Sequence, residues 1–168
     1  MLYEQFYSSM AGICLRYSKD EAEAKIILNE GFLKAFGTIK YFRGETTLEK
    51  WVRKIMIDSA IDYLRKNRQS YWIVNTVNAT AKNAHQAEKV WSDEELLEAI
   101  HTKHILPSVQ NLSPAYRVIF NLHFIDHHTH QQISERLDIS EATSKSDFTT
   151  AKYQLRKNLT RIHDQQPI

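Results

Sequence analysis

The chain has 168 residues, of which 42% are hydrophobic and 25% charged, with a formal net charge of +2. That composition suits one ordinary globular domain or two small ones and excludes a disordered chain. Four glycines and three prolines are too few turn formers for an all-β fold, no apolar run reaches the length of a membrane span, and MLYEQFYSS lacks a signal peptide's pattern. The lone Cys14, set among Ala11, Ile13 and Leu15, argues against a disulfide framework and for a reducing cytoplasm. It reads as a small buried residue rather than a nucleophile.

Leu2, Phe6, Met10, Ile13 and Tyr17 recur at helical spacing. Asp20 and Glu23 form a D-x-x-E capping signature that opens a second helix through Phe36, with Ala24, Ile27, Leu28, Gly31, Phe32 and Ala35 as its inward stripe. TIKYFRGE reads as a loop. Thr46 and Glu49 make the next capping box, opening a long helix to about Arg68 with Leu48, Val52, Ile55, Ala60 and Leu64 facing inward. Residues 69–91 lack a clean period and are rich in Asn, Ala and Thr, with a short β-prone piece at Trp72–Val77; they read as a linker. Ser92 and Glu95 form another capping box, and Leu96, Leu97 and Ile100 carry that helix to Pro107.

The last block has the sharpest pattern. Ser113-Pro114 is an N-cap followed by proline at the first helical position, and this helix runs to about Ile125. Thr129 and Gln132 cap a short helix, Thr129–Leu137. Asp138–Ser140 makes a tight turn, and Ser140 caps a final long helix. A supporting helix and two helices joined by a tight turn make a helix-turn-helix. Projected at about 100° per residue, the last helix turns Phe148, Ala151, Leu155, Leu159 and Ile162 to one side. The other side carries Thr143, Ser146, Thr150, Tyr153 and Lys157, flanked by Lys145, Thr149 and Arg156. Small hydroxyl residues followed by basic ones suit a helix whose first half meets base edges and whose second half holds phosphates. Asp147 opposes tight binding, because phosphates repel a carboxylate. The expected architecture is all-α: a helical domain at 1–68, the linker at 69–91 and a helix-turn-helix domain at 92–168.

KDEAEAKIILNEGFLKAF, YFRGETTLEKWVRKIMIDSAIDYLRKNR and LSPAYRVIFNLHFIDHHTHQQISERLDISEATSKS occur in that order. Together they resemble a bacterial RNA polymerase sigma factor of the extracytoplasmic-function type, over residues 2–68 and about 93–160. The resemblance implies a non-enzymatic, cytoplasmic initiation factor without a cofactor or membrane insertion. Its partners would be core RNA polymerase, promoter DNA and an anti-sigma factor. Asn29, Glu30 and Phe32 lie where the family presents its polymerase-binding Q-E-x-F. Leu48, Trp51, Arg53, Lys54, Asp58, Asp62, Arg65 and Lys66 match the segment that opens the minus-ten element. Thr143, Lys145, Ser146, Thr149, Thr150, Tyr153, Arg156 and Lys157 match the reader of the minus-thirty-five element.

Several positions depart from the family pattern. Ile26 replaces an acid in the docking helix, Leu48 an aromatic, Asp58 an Asn, Asp138 the turn glycine, Ser144 a buried valine and Thr150 a basic residue. An altered promoter preference is the expectation. Aspartate tolerates left-handed backbone better than most residues, so the turn should survive. Ile26 supports an alternative reading, a sigma-like helix-turn-helix regulator that does not engage polymerase. A third class is a metallohydrolase built on His123, His127, His128 and His130, because His123 and His127 have the i, i+4 spacing of helical metal pairs. It lacks the glutamate of H-E-x-x-H. The histidines are instead expected on the surface near phosphates, where protonation would strengthen DNA binding.

Overall fold

A computed structural model describes residues 2–67, 92, 94–95, 98 and 104–164. The expected linker, Arg68, and the positions Leu96, Leu97 and Ile100 lie outside those residues, as do the side chains of Leu2 and Ile162. The chain divides into two compact units, Met1–Gln69 and Ser70–Ile168. The described residues are helical, with no strand among them, as the all-α reading requires.

In the first unit α1 (Leu2–Tyr17), α2 (Glu21–Thr38) and α3 (Leu48–Asn67) pack pairwise. Asp20 accepts the Glu23 N–H at 2.8 Å, while the Glu23 carboxylate reaches back to the Lys19 N–H at 2.6 Å. Two of the N–H groups at the helix entrance are thereby satisfied. A short 3-10 turn, Ile39–Tyr41, extends α2 into the stretch read as loop.

The start of α3 differs from expectation by one residue. Thr47, not Thr46, is the cap: its hydroxyl accepts the Lys50 N–H at 3.3 Å and its carbonyl accepts the Trp51 N–H at 3.1 Å. The inward face of α3 is also wider than the single stripe expected. Leu48 and Ile55 are only half-buried, whereas Met56, Ile57 and Ile61 are buried beside Val52, Ala60 and Leu64. The reason is that α3 packs against both α1 and α2, and two neighbours need more of its circumference.

In the second unit α4 (Ile105–Gln110), α5 (Pro114–Phe120), α6 (His130–Leu137) and α7 (Glu141–Asp164) surround Val109, Leu112, Val118, Ile119, Phe120, Leu122, Ile133, Leu155 and neighbouring apolar side chains. Ser113 precedes α5, but its hydroxyl makes no cap bond. Pro114 at the first position needs no N–H partner, and the Arg117 N–H bonds the Ser113 carbonyl at 2.8 Å. The buried Arg117 guanidinium donates to the carbonyls of Gln110 and Leu112, both at 2.8 Å, closing the turn between α4 and α5. After Phe120 the supporting helix widens into a π-turn, Asn121–Ile125. The amide of the buried Asn121 donates to the Arg117 carbonyl at 2.9 Å. At the far end of α7, Asn158 donates to the Ser108 carbonyl at 3.1 Å and ties that helix to α4.

Candidate nucleic-acid interface

α6 and α7 are set by three caps. The Thr129 hydroxyl accepts the Gln132 N–H at 3.2 Å, and the Gln132 side chain accepts the Thr129 N–H at 2.9 Å. α6 ends on Asp138, whose left-handed backbone (φ 55°, ψ 50°) lets its own N–H and that of Ile139 reach the Ser134 carbonyl. Aspartate is one of the few residues other than glycine that adopt this conformation readily. Ser140 accepts the Thr143 N–H at 2.9 Å and starts α7.

On α7, Phe148, Ala151 and Leu155 are buried and Leu159 is half-buried. Lys145, Thr149 and Lys157 are exposed, and Thr143, Ser146, Thr150, Tyr153 and Arg156 are half-buried. Thr149 and Thr150 donate their hydroxyl protons to the carbonyls of Lys145 and Ser146, at 3.1 and 3.0 Å. What remains outward is a methyl group and an acceptor lone pair, suited to a thymine methyl or an exocyclic amino group. Lys145 bonds Glu141 at 2.7 Å, and its ammonium holds the Glu141 carboxyl below the usual carboxylate range. One expectation is corrected: Asp147 is only 4% exposed and faces inward, so its carboxylate is not presented to phosphates.

On α3, Leu48, Trp51, Lys54, Asp58, Asp62, Arg65 and Lys66 share one side of the helix, away from its buried face. Arg53 does not join them; it projects among positions that pack inward and is half-buried. Trp51 is half-buried against Phe42, with ring centroids 5.5 Å apart. Asp62 holds Lys34 of α2 at 3.0 Å, so it already has a cationic partner within the chain.

On α2, Asn29 is exposed and Glu30 half-buried. Phe32 is 2% exposed and packs against Tyr3, with centroids 4.6 Å apart, so it is a core residue rather than a contact. The exposed large apolar side chains of this helix are Ile26, Leu33 and Phe36, at 46%, 71% and 47%. They lie on the same side as Asn29 and Glu30. Their sequence signal is an apolar set spaced i, i+7, i+10 and out of phase with the core stripe.

Of the four histidines at 123–130, His123, His128 and His130 are half-buried and His127 is exposed, its φ of 57° placing it in the turn. His123 Nδ1 donates to the His128 carbonyl at 2.8 Å, and His128 Nδ1 faces the Leu122 carbonyl at 3.3 Å. His130 Nδ1 lies 2.9 Å from the buried Ser144 hydroxyl. Among the described residues no group of three or more His, Cys, Asp or Glu side chains is placed to hold a metal ion. No helix among them is long and apolar enough to cross a membrane.

The Sigma-70 region 2 profile matches residues 2–70, and the profile for Sigma-70, region 4 matches residues 108–155. The ECF RNA polymerase sigma factor SigW of Bacillus subtilis (strain 168) is 25% identical over 151 residues, covering 88% of this chain and 81% of the relative. The ECF RNA polymerase sigma factor SigM of the same organism is 24% identical over 162 residues, covering 92% and 91%. The sigma factor RpoE from Bartonella quintana, solved in complex with the anti-sigma factor NepR, is similar in fold, with a TM-score of 0.56 at 14% identity over 94% of both chains.

Proposed function

The chain belongs to the sigma-70 family as a sigma factor of the extracytoplasmic-function type, and on that premise we propose which of its surfaces performs each step of promoter selection. It binds core RNA polymerase and directs it to promoters, opening the minus-ten element and reading the minus-thirty-five element. The observation that carries this function is the presence of both sigma-70 regions, in order, on one chain.

The α2 side with Asn29, Glu30, Ile26 and Leu33 is assigned to polymerase. An exposed apolar group bordered by a carboxylate and an amide suits a protein partner that covers it. Ile26 thus favours docking through apolar contact in place of the family's acid, which weakens the case for a regulator that ignores polymerase. Phe32 supports this face from beneath. The α3 side with Leu48, Trp51, Lys54, Asp58, Arg65 and Lys66 is assigned to the minus-ten element. Its cations hold phosphates, while the half-buried Trp51 ring offers a stacking surface to a base leaving the duplex. Asp62 acts through Lys34, and Arg53, on the packed side, is left out of this contact. Replacing Asp58 by Asn adds a donor and removes a charge, so Asp58→Asn should change the minus-ten base preference in transcription. Unchanged preference would remove Asp58 from the readout.

The α7 side with Thr143, Lys145, Ser146, Thr149, Thr150, Tyr153, Arg156 and Lys157 is assigned to the minus-thirty-five major groove. RNA synthesis belongs to the polymerase, so the chain acts without chemistry or cofactor of its own, in the cytoplasm where polymerase works. The structural neighbour's complex with an anti-sigma factor supports a similar inhibitory partner for this chain. Run-off transcription with core polymerase on a promoter library tests the assignment. Promoter-specific transcripts that require the chain are expected; duplex binding without polymerase capture would favour the regulator.

A further inference from the structure

The turn between α5 and α6 and the first residue of α6 bring together His123, His128 and His130, imidazoles that the promoter-reading surfaces do not use. His128 turns Nδ1 to the Leu122 carbonyl, which can only accept, so its proton sits there and Nε2 keeps the lone pair. That nitrogen lies 3.2 Å from the Arg136 guanidinium, which can only donate. The contact therefore exists only with a neutral ring. His123 likewise donates from Nδ1 to the His128 carbonyl. Its ring stacks on that of His130 with centroids 4.0 Å apart and planes 22° from parallel, and Phe148 meets its edge at 4.5 Å. His130 then reaches the hydroxyl of Ser144, which is fully buried in the first turns of α7.

On balance the groups around His130 favour its neutral ring. Burial pushes His130 below its ordinary value, His123 and Lys145 act in the same direction, and Glu141 opposes them. Arg136 of α6 faces His128, and Lys152 of α7 lies 5.1 Å over the Phe148 ring. Asp126 stands in the connecting turn and Asp147 is buried on α7. Two protonated rings stacked at this distance would repel each other in a partly desolvated place.

We propose that His130 is a positioning residue for the DNA-reading helix, acting through Ser144, and that it holds α7 in place only while its ring is neutral. Acidification then loosens the first turns of α7 and weakens binding to the minus-thirty-five duplex. The DNA readout rests on the surface assignment made above; the loosening of α7 does not. The sign follows from linkage. A histidine whose folded value is depressed contributes stability fully present above the ordinary value of 6.5, and lost as the pH falls below it. Histidines lying on phosphates would give the opposite result, since protonation there strengthens binding.

The test uses the full chain and a promoter duplex selected by run-off transcription, with binding measured from about pH 8 to about pH 5.5, the span in which histidine titrates. Binding about tenfold weaker at the acid end is expected. His130→Gln keeps a hydrogen-bonding group for Ser144 without titrating, and its profile should be flat. Equal or tighter wild-type binding in acid, or the full loss retained in H130Q, overturns the proposal. Glu141→Gln removes the carboxylate that opposes the downward pull on His130 and should move the loss to lower pH; it serves as the test where H130Q does not fold. A chain that binds no duplex at any pH speaks against the surface assignment alone. Amide exchange of α7 without DNA then decides: protection that falls on acidification in the wild type and is retained to lower pH in E141Q supports the lock, and protection independent of pH sinks it.

Discussion

Cys14 is fully buried on α1, and burial pushes its thiol up to about 12. Only the thiolate reacts with disulfide reagents or alkylating agents, so the native residue should be inert at neutral pH. Labelling should proceed at the rate of unfolding and accelerate with denaturant; rapid modification in native buffer would contradict the burial. The apolar setting of this residue was legible along a single helix. Ser144 was not. A hydroxyl at an apolar position can be seen in the sequence, but its partner His130 stands 14 residues earlier and comes into reach only through the α6–α7 turn. Arg117 is similar: a basic side chain on a helix reads as surface until the carbonyls of Gln110 and Leu112 are brought beneath it.

Elements were more legible than residues where the determinant is local. Capping side chains bond within three residues, so Asp20, Thr129 and Ser140 announce their helices directly. Thr46 and Thr47 offer the same hydroxyl, and only the helix phase chooses between them. The π-turn at Asn121–Ile125 has no local signature of that kind. Packing between elements is where pattern reading stops, and Gly31 shows the consequence. A Cβ there would run into the Sδ of the fully buried Met56 on α3, whereas a Cβ at Gly12 of α1 meets nothing within 4 Å. Gly12→Ala should therefore raise stability by about 0.5–1 kcal/mol, the helix-propensity gain. Gly31→Ala makes the same gain but must displace Met56, and overpacking of this kind costs about 1–3 kcal/mol. The net expectation is a loss of about 1 kcal/mol. Thermal and denaturant melts of both variants check the contrast, and a stabilised G31A would show that Met56 yields freely. In G31A/M56A the combined loss should be smaller than the sum of the singles, because each change makes room for the other.

At the scale of the whole chain, a net charge of +2 gives little general attraction to nucleic acid. Binding has to come from where cations are placed, on one side of α3 and along α7. That placement was visible in the sequence because helical periodicity sorts residues by face; the same projection sets Arg53 between Ala60 and Leu64 on the packed side, where the family match alone had grouped it with the promoter contacts. The partner face of α2 was seen only in part. The family motif pointed to Phe32, yet the packed three-helix unit buries that ring and leaves Leu33, at 71%, as the most exposed large apolar side chain among the described residues. Leu33→Glu tests which residue meets polymerase. The side chain makes little core contact, so stability should change by no more than about 0.5 kcal/mol. A carboxylate forced into an apolar contact loses the burial energy of leucine, about 2 kcal/mol, and adds a desolvation cost. Capture of core polymerase by the L33E chain should thus fall about tenfold or more, while its affinity for promoter duplex alone stays at the wild-type level. Undiminished capture would move the docking contact away from Leu33. A parallel loss of duplex binding would mean that the substitution had unsettled the chain as a whole.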